Sequence, residues 1–180
     1  MPPCAATLLR RLPSATDLPR RDVARLVKLA EERQLASGEI LFRQGDPADH
    51  IYLVLRGSLL VRAVVPGGDE LVLGLATTGD IIGEMGLLEC APRSATLACE
   101  AEATLLVIGR DSWDALVAHD DAIARWLLER CAEGLARRIE AVMERIVAAS
   151  QDPCLLHHLP KAPRPRRRGL VAWLLGLGSA

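Results

Sequence analysis

Aromatic residues are scarce in this chain: one phenylalanine, one tyrosine and three tryptophans among 180 residues, 3% by the Phe, Trp and Tyr count. The core must therefore be built from Leu, Val, Ile and Ala, and few rings remain to stack on single-stranded nucleic acid. Neither charge is in excess, since 22 basic residues face 23 acidic ones for a net charge of −1. That balance argues against a protein-wide electrostatic grip on DNA and leaves only local patches. Long apolar runs are missing too: no stretch reaches the roughly 18 residues that span a bilayer as a helix. Met1-Pro2-Pro3-Cys4 has no charged segment followed by an apolar run, so no signal peptide is expected. Cys4, Cys90, Cys99, Cys131 and Cys154 are odd in number, scattered and never arranged as CxxC. They read as reduced thiols in a cytoplasmic protein, without a disulfide framework or a metal cluster. No nucleophile–base set is visible, and no enzymatic activity is expected.

Half of the chain is apolar and a quarter charged, which is globular usage. Residues 1–18 read as an irregular lead-in. Pro19 suits the first turn of a helix, with Val23, Leu26, Val27 and Ala30 on one face and Ser37-Gly38 as its end. From Glu39 the texture changes to short β-branched or Leu-rich runs at 40–43, 51–56, 58–65, 70–76, 95–99 and 103–109. Turn signals separate them, with glycines at 45, 57, 67/68 and 79 recurring about every ten to twelve residues, the spacing of successive antiparallel strands. After Gly109 the period becomes helical. Asp111 is a candidate N-cap for a short helix to about 118, and a longer helix follows to near 149. Along it Ile123, Leu127, Cys131, Leu135, Ile139, Val142 and Ile146 form one apolar stripe. The stripe is longer than one β-domain needs, which predicts a symmetric homodimer along this helix. Prolines 153, 160, 163 and 165 make 150–168 a linker that ends in Arg164-Pro165-Arg166-Arg167-Arg168. Residues 169–180 are almost wholly apolar. This basic-apolar tail is either a solvated end or a surface that docks on a protein or a membrane.

The chemistry concentrates in residues 83–96. Gly83 and Gly86 allow close approach to the backbone, and the free N–H groups that open a short helix favour an anion. Arg93 offers a planar fork for phosphate oxygens, and Glu84 accepts hydrogen bonds from sugar hydroxyls. Such a cradle suits a ligand with both a phosphate and a free hydroxyl. The bland alternative is that Arg93 and Glu84 pair with each other across a loop in a domain that binds nothing.

Gly83-Glu84-Met85-Gly86-Leu87, followed by Pro92-Arg93-Ser94-Ala95-Thr96, resembles the phosphate-binding cassette of cyclic-nucleotide-binding domains of the Crp/Fnr regulator type. Leu41-Phe42-Arg43-Gln44-Gly45-Asp46, the run from Ile51 to Gly57 and Thr78-Gly79-Asp80 are similar to the same family, in the correct order. The resemblance covers roughly 20–148 and implies an α+β, mainly β fold. This is an antiparallel, jelly-roll-like β-roll of eight strands, flanked by an N-terminal helix and a long C-terminal helix, with the domain at 19–149. It implies that Arg93 pairs with a cyclic phosphate and Glu84 holds the ribose 2′-hydroxyl. Gly83, backbone amides of Gly86 and Leu87, and Ser94 with Ala95 complete the cradle. Leu73 would lie under the base, Val142 and Met143 on the long helix would close over it, and Arg138 of the same helix counts among the ligand-binding residues. The winged helix-turn-helix that regulators of this class carry is not expected in 150–180, so no sequence-specific DNA binding is expected. The chain then reads as a stand-alone sensor of cyclic AMP or cyclic GMP, cytoplasmic or peripheral at a membrane, with no cofactor beyond that ligand. A nucleotide-independent interaction module, or a regulator acting without its own DNA-reading domain, is the alternative.

Overall fold

The computed structural model of the chain describes residues 4–65 and 67–150. The predicted linker, apart from Ser150, and the apolar tail at 169–180 lie outside the described residues. The chain divides into two units, Met1–Arg138 and Ile139–Ala180, and the described part of the second is the end of the long helix.

Two helices precede the sheet, α1 (Ala5–Arg11) and α2 (Arg20–Leu29), with a 3-10 turn at Pro13–Asp17 between them. The irregular lead-in expected at 1–18 is therefore helical. Leu8, Leu9, Leu12, Ala15 and Leu18 point into one core, and that burial stabilises a seven-residue helix too short to form alone. Pro19 caps α2, which stops at Leu29 rather than at Ser37-Gly38. The chain goes directly into β1 (Glu31–Leu35), a strand absent from the sequence reading.

The sheet has six antiparallel strands: β1, β2 (Ile40–Phe42), β3 (His50–Val64), β4 (Glu70–Thr77), β5 (Ile81–Ile82) and β6 (Thr96–Gly109). Their order is β1-β6-β3-β4, with β2 paired to β6 and β5 to β3. The turn expected at Gly57-Ser58 is instead a bulge inside continuous β3. Gly57 has φ +93°, and a Cβ there would run into the Glu102 carbonyl and Ala103 of β6. A glycine in a left-handed conformation bends a long strand as readily as it closes a hairpin. The runs at 95–99 and 103–109 likewise merge into β6, so two bent strands each supply two segments of the roll.

Two apolar clusters hold this arrangement. One joins the N-terminal helices, one face of the sheet and the first half of the long helix. The other fills the roll with Leu35, Leu41, Phe42, Tyr52, Val54, Leu59, Leu97 and Leu105 among its members. A six-residue helix, α3 (Glu84–Glu89), interrupts the strands between β5 and β6. After β6 come α4 (Arg110–Ala118) and α5 (Ala122–Ser150). Asp111 lies inside the first turn of α4 rather than at its cap, which is Gly109. The carboxylate that caps a helix is Asp121, which accepts the Ile123 N–H at 2.9 Å at the start of α5. The stripe on α5 is buried at Ile123, Leu127 and Cys131, whereas Ile139 is 62% exposed.

Candidate functional site

The cassette is built at the join of β5, α3 and the loop 90–95. Gly83 caps α3 with φ +82°, and Cys90 ends it with φ +51°, so a left-handed residue bounds the helix on each side. These two reversals turn Glu84 and Arg93, nine positions apart, into different surroundings. Glu84 is 4% exposed and forms an ion pair with Arg138 of α5. Burial pushes the Glu84 carboxyl above the ordinary glutamate range, and the Arg138 guanidinium opposes that rise.

Arg93 is 3% exposed and enters no ion pair among the described residues. The predicted alternative, an Arg93–Glu84 pair, does not occur. The Arg93 backbone is pinned to the turn after β2: its N–H donates to the Asp46 carbonyl and its own carbonyl accepts the Gly45 N–H, both at 2.9 Å. Its NH1 donates to the Gly83 carbonyl at 3.0 Å, and its Nε has no partner. The guanidinium carbon sits 4.3 Å from the Phe42 ring centroid and 5.5 Å from that of Tyr52. Burial holds the Arg93 pKa below its ordinary value, yet arginine keeps its charge. A buried cation without a carboxylate and with an unused donor is a receptor for an anion.

The cassette glycines serve the protein's own packing. A Cβ on Gly83 would stand 2.5 Å from Arg93 NH1, and one on Gly86 would collide with the Ala48 side chain and come within 2.9 Å of the Ala91 carbonyl. At these glycines the position a Cβ would take is filled by Arg93 and by Ala48. Ala95 and Leu87 are core residues, and the Leu87 carbonyl accepts from Arg110 at 3.4 Å. Ser94 is exposed beside Arg93. Leu73 is 43% exposed and sits where β3 and β4 shift register, opposite the step from Val61 to Arg62. Val142 and Met143 belong to the second unit and are exposed.

Three residues of this region carried no assigned role in the sequence reading, Phe42, Tyr52 and Asp80, and Arg137 was expected only to flank the dimer seam on the long helix. Asp80 closes the turn before β5 by accepting the Thr77 N–H at 2.8 Å, and its other oxygen pairs with Arg137. Adjacent arginines of α5 thus meet the two carboxylates that flank β5 and Gly83. The signal that was available is the Arg137-Arg138 dipeptide itself. Among the described residues no group of three or more His, Cys, Asp or Glu side chains is placed to hold a metal ion.

The six-stranded antiparallel roll thus carries a buried arginine and a buried glutamate in one cassette between β5 and β6. Residues 32–120 match the family model of the cyclic nucleotide-binding domain, and the chain belongs to this family. It is 25% identical over 115 residues to a CRP-like cAMP-activated global transcriptional regulator of Mycobacterium tuberculosis, covering 64% of this chain and 51% of that protein. Among solved structures, the N-terminal domain of a transcriptional regulator from Streptomyces coelicolor is 31% identical with a TM-score of 0.57. That match covers 74% of this chain and 93% of the other. The c-di-GMP-responsive global regulator CLP of Xanthomonas campestris is 25% identical with a TM-score of 0.66, covering 81% of this chain and 74% of the other. The chain spans 28% and 15% of the length of two further curated relatives, so it corresponds to one part of larger proteins. The described residues hold no winged helix-turn-helix, and none of their helices is long and apolar enough to cross a membrane.

Proposed function

We propose that this domain senses cyclic AMP or cyclic GMP and passes the signal to a protein or membrane partner. The observation that carries this reading is Arg93: a buried guanidinium with no carboxylate partner and a free Nε, next to exposed Ser94. In this reading Arg93 takes the cyclic phosphate with Ser94 and the amides of Gly86, Leu87 and Ala95. Glu84 takes the ribose 2′-hydroxyl, and Leu73 lies under the base. Glu84 is already engaged by Arg138, so the ribose and α5 compete for one carboxylate. That competition gives the ligand a route to the long helix. Val142 and Met143 would cover the base as apolar groups, which read no amino or carbonyl group. Cyclic AMP and cyclic GMP should then bind within roughly tenfold of each other.

The sensor is further proposed to be a cytoplasmic homodimer along α5, peripheral at a membrane if its basic-apolar tail docks there, and without sequence-specific DNA binding. A second reading, a cyclic dinucleotide as ligand, is favoured by the likeness to the c-di-GMP-responsive regulator. Titration calorimetry of the full chain with cyclic AMP, cyclic GMP and cyclic di-GMP separates the two. Binding of either mononucleotide, lost in Arg93→Ala, supports the first. Binding of the dinucleotide alone supports the second, and no binding at millimolar ligand leaves the interaction module.

A further inference from the structure

The chain contains one phenylalanine and one tyrosine, and both lie against the same guanidinium. Phe42 closes β2, Tyr52 belongs to β3, and their ring centroids are 5.7 Å apart. Both are buried in the cluster that fills the roll. A guanidinium over an aromatic face is attracted by the ring quadrupole, most strongly where water is excluded. Unlike a carboxylate, a ring face takes up none of the in-plane N–H donors and cancels none of the charge. The Tyr52 hydroxyl and, less closely, the Asp49 and Asp46 carboxylates also act on the guanidinium, and Nε keeps no partner. Burial also pushes the Tyr52 phenol above its ordinary pKa, so it stays neutral and supplies no counter-charge.

We infer that Phe42 and Tyr52 are positioning residues for Arg93: their rings hold its guanidinium in a buried orientation that leaves Nε unpaired and in which it meets an anionic ligand. The Gly83 carbonyl fixes the rotation at NH1, and the rings fix the plane. The inference rests on the reading of Arg93 as the phosphate contact and adds what keeps that side chain in place before the ligand arrives. A carboxylate in the same position would hold the arginine equally well and would compete with the phosphate. The aromatic pair avoids that competition.

The test has one arm without ligand and one with it, both on the full chain. In proton–nitrogen spectra, the Arg93 Nε–Hε signal is identified by its absence in Arg93→Ala. It should lie upfield of the other arginines through ring currents, keep that position in Phe42→Tyr and lose it in Phe42→Leu. Titrated with cyclic AMP and cyclic GMP, Phe42→Leu should bind about five- to thirtyfold more weakly, and Phe42→Tyr should restore wild-type binding. In the Arg93→Ala background, Phe42→Leu should cause no further loss. Equal losses with and without Arg93, or an Arg93 signal that ignores the ring, overturn the inference. If the wild type binds neither nucleotide the sensor reading fails, and the spectra still decide the positioning. If Phe42→Leu does not fold, the wild-type spectrum and Phe42→Tyr decide it.

Discussion

Replacing Arg93 by methionine separates the cost of burying a charge from the use of that charge. Methionine fills a long, irregular slot without a polar group, so no large cavity confuses the result. In the ligand-free protein the substitution removes a cation–π contact of about 2 kcal/mol and a charged hydrogen bond to Gly83 of about 1.5–3 kcal/mol. It also relieves the desolvation of a 3%-exposed guanidinium, an effective penalty of several kcal/mol for a buried ion. These effects nearly cancel, and the variant should unfold within about 1 kcal/mol of the wild type. With ligand the balance is one-sided. At a hundred times Kd, the wild type gains about 2.7 kcal/mol, a rise in Tm of about 5–11 °C. Losing charge-assisted hydrogen bonds to phosphate weakens binding roughly 10–150-fold. The same ligand concentration then adds only about 0.3–1.4 kcal/mol, or about 1–6 °C. Thermal unfolding of both proteins with and without cyclic nucleotide reads both quantities. A ligand-free loss of about 3–5 kcal/mol, the mark of a broken buried ion pair, would refute the claim that Arg93 is uncompensated. An undiminished ligand shift would refute its role at the phosphate.

The two cassette glycines should fail differently. Gly83→Ala meets the end of the Arg93 side chain, comes within 3.3 Å of the His50 carbonyl and sits at a left-handed φ, so it should cost about 1–2 kcal/mol and a large share of ligand affinity. Gly86→Ala meets Ala48 and a backbone carbonyl, so it should cost about 1–3 kcal/mol, and calorimetry beside denaturation will show which property falls first. Glu84 holds its proton more tightly in the folded than in the unfolded chain, so its contribution to stability declines as pH rises from the ordinary glutamate range through its raised pKa. Denaturation of Glu84→Gln against wild type from pH 4 to about 8 should show the difference between them changing in that direction, and a pH-independent difference would remove Glu84 as its source. Ile139 is exposed in the single chain, so Ile139→Asp should halve the sedimenting mass at roughly tens of micromolar while leaving the monomer's fold intact. An unchanged mass would move the dimer seam off α5.

The parts of the fold that were legible are the β-branched or Leu-rich runs bounded by glycine turns, which fall within β2, β3, β4 and β6. Their burial comes in runs, as at Ile51–Leu55, rather than in alternation, and the glycines near their ends mark reversals. β1 was invisible because Glu31, Glu32, Arg33 and Gln34 hide nothing, and only Leu35 is fully buried. Main-chain pairing to β6 places this strand, and main-chain pairing leaves no mark on residue type. Gly57 was misread because positive φ serves a bulge and a turn alike; what decides between them is the closeness of β6. Helix α1 failed to register for the same reason that it is stable. Leu8, Leu9 and Leu12 are ordinary in a short segment and become decisive only once α2 and the sheet cover them.

At the site, residue types carried the chemistry but not the pairing. Glu84 and Arg93 are nine positions apart and opposite in charge, which makes them look like partners. The left-handed residues at Gly83 and Cys90 turn them apart, and a helix that begins 38 residues after Glu84 supplies Arg138 instead. Once Glu84 has its own cation, no carboxylate among the described residues meets Arg93 at ion-pair distance, although Asp49 and Asp46 act on it from further off, and its charge is left for a ligand. The same reversal applies to the aromatic count. One phenylalanine and one tyrosine argued against stacking on nucleic acid, and that argument treated scarcity as absence. Two rings suffice to orient one guanidinium, and they are the two aromatic members of the cluster that fills the roll. Their position against Arg93 is the property that distinguishes them, because a ring face, like the Gly83 carbonyl beside it, holds a buried cation while leaving its charge free.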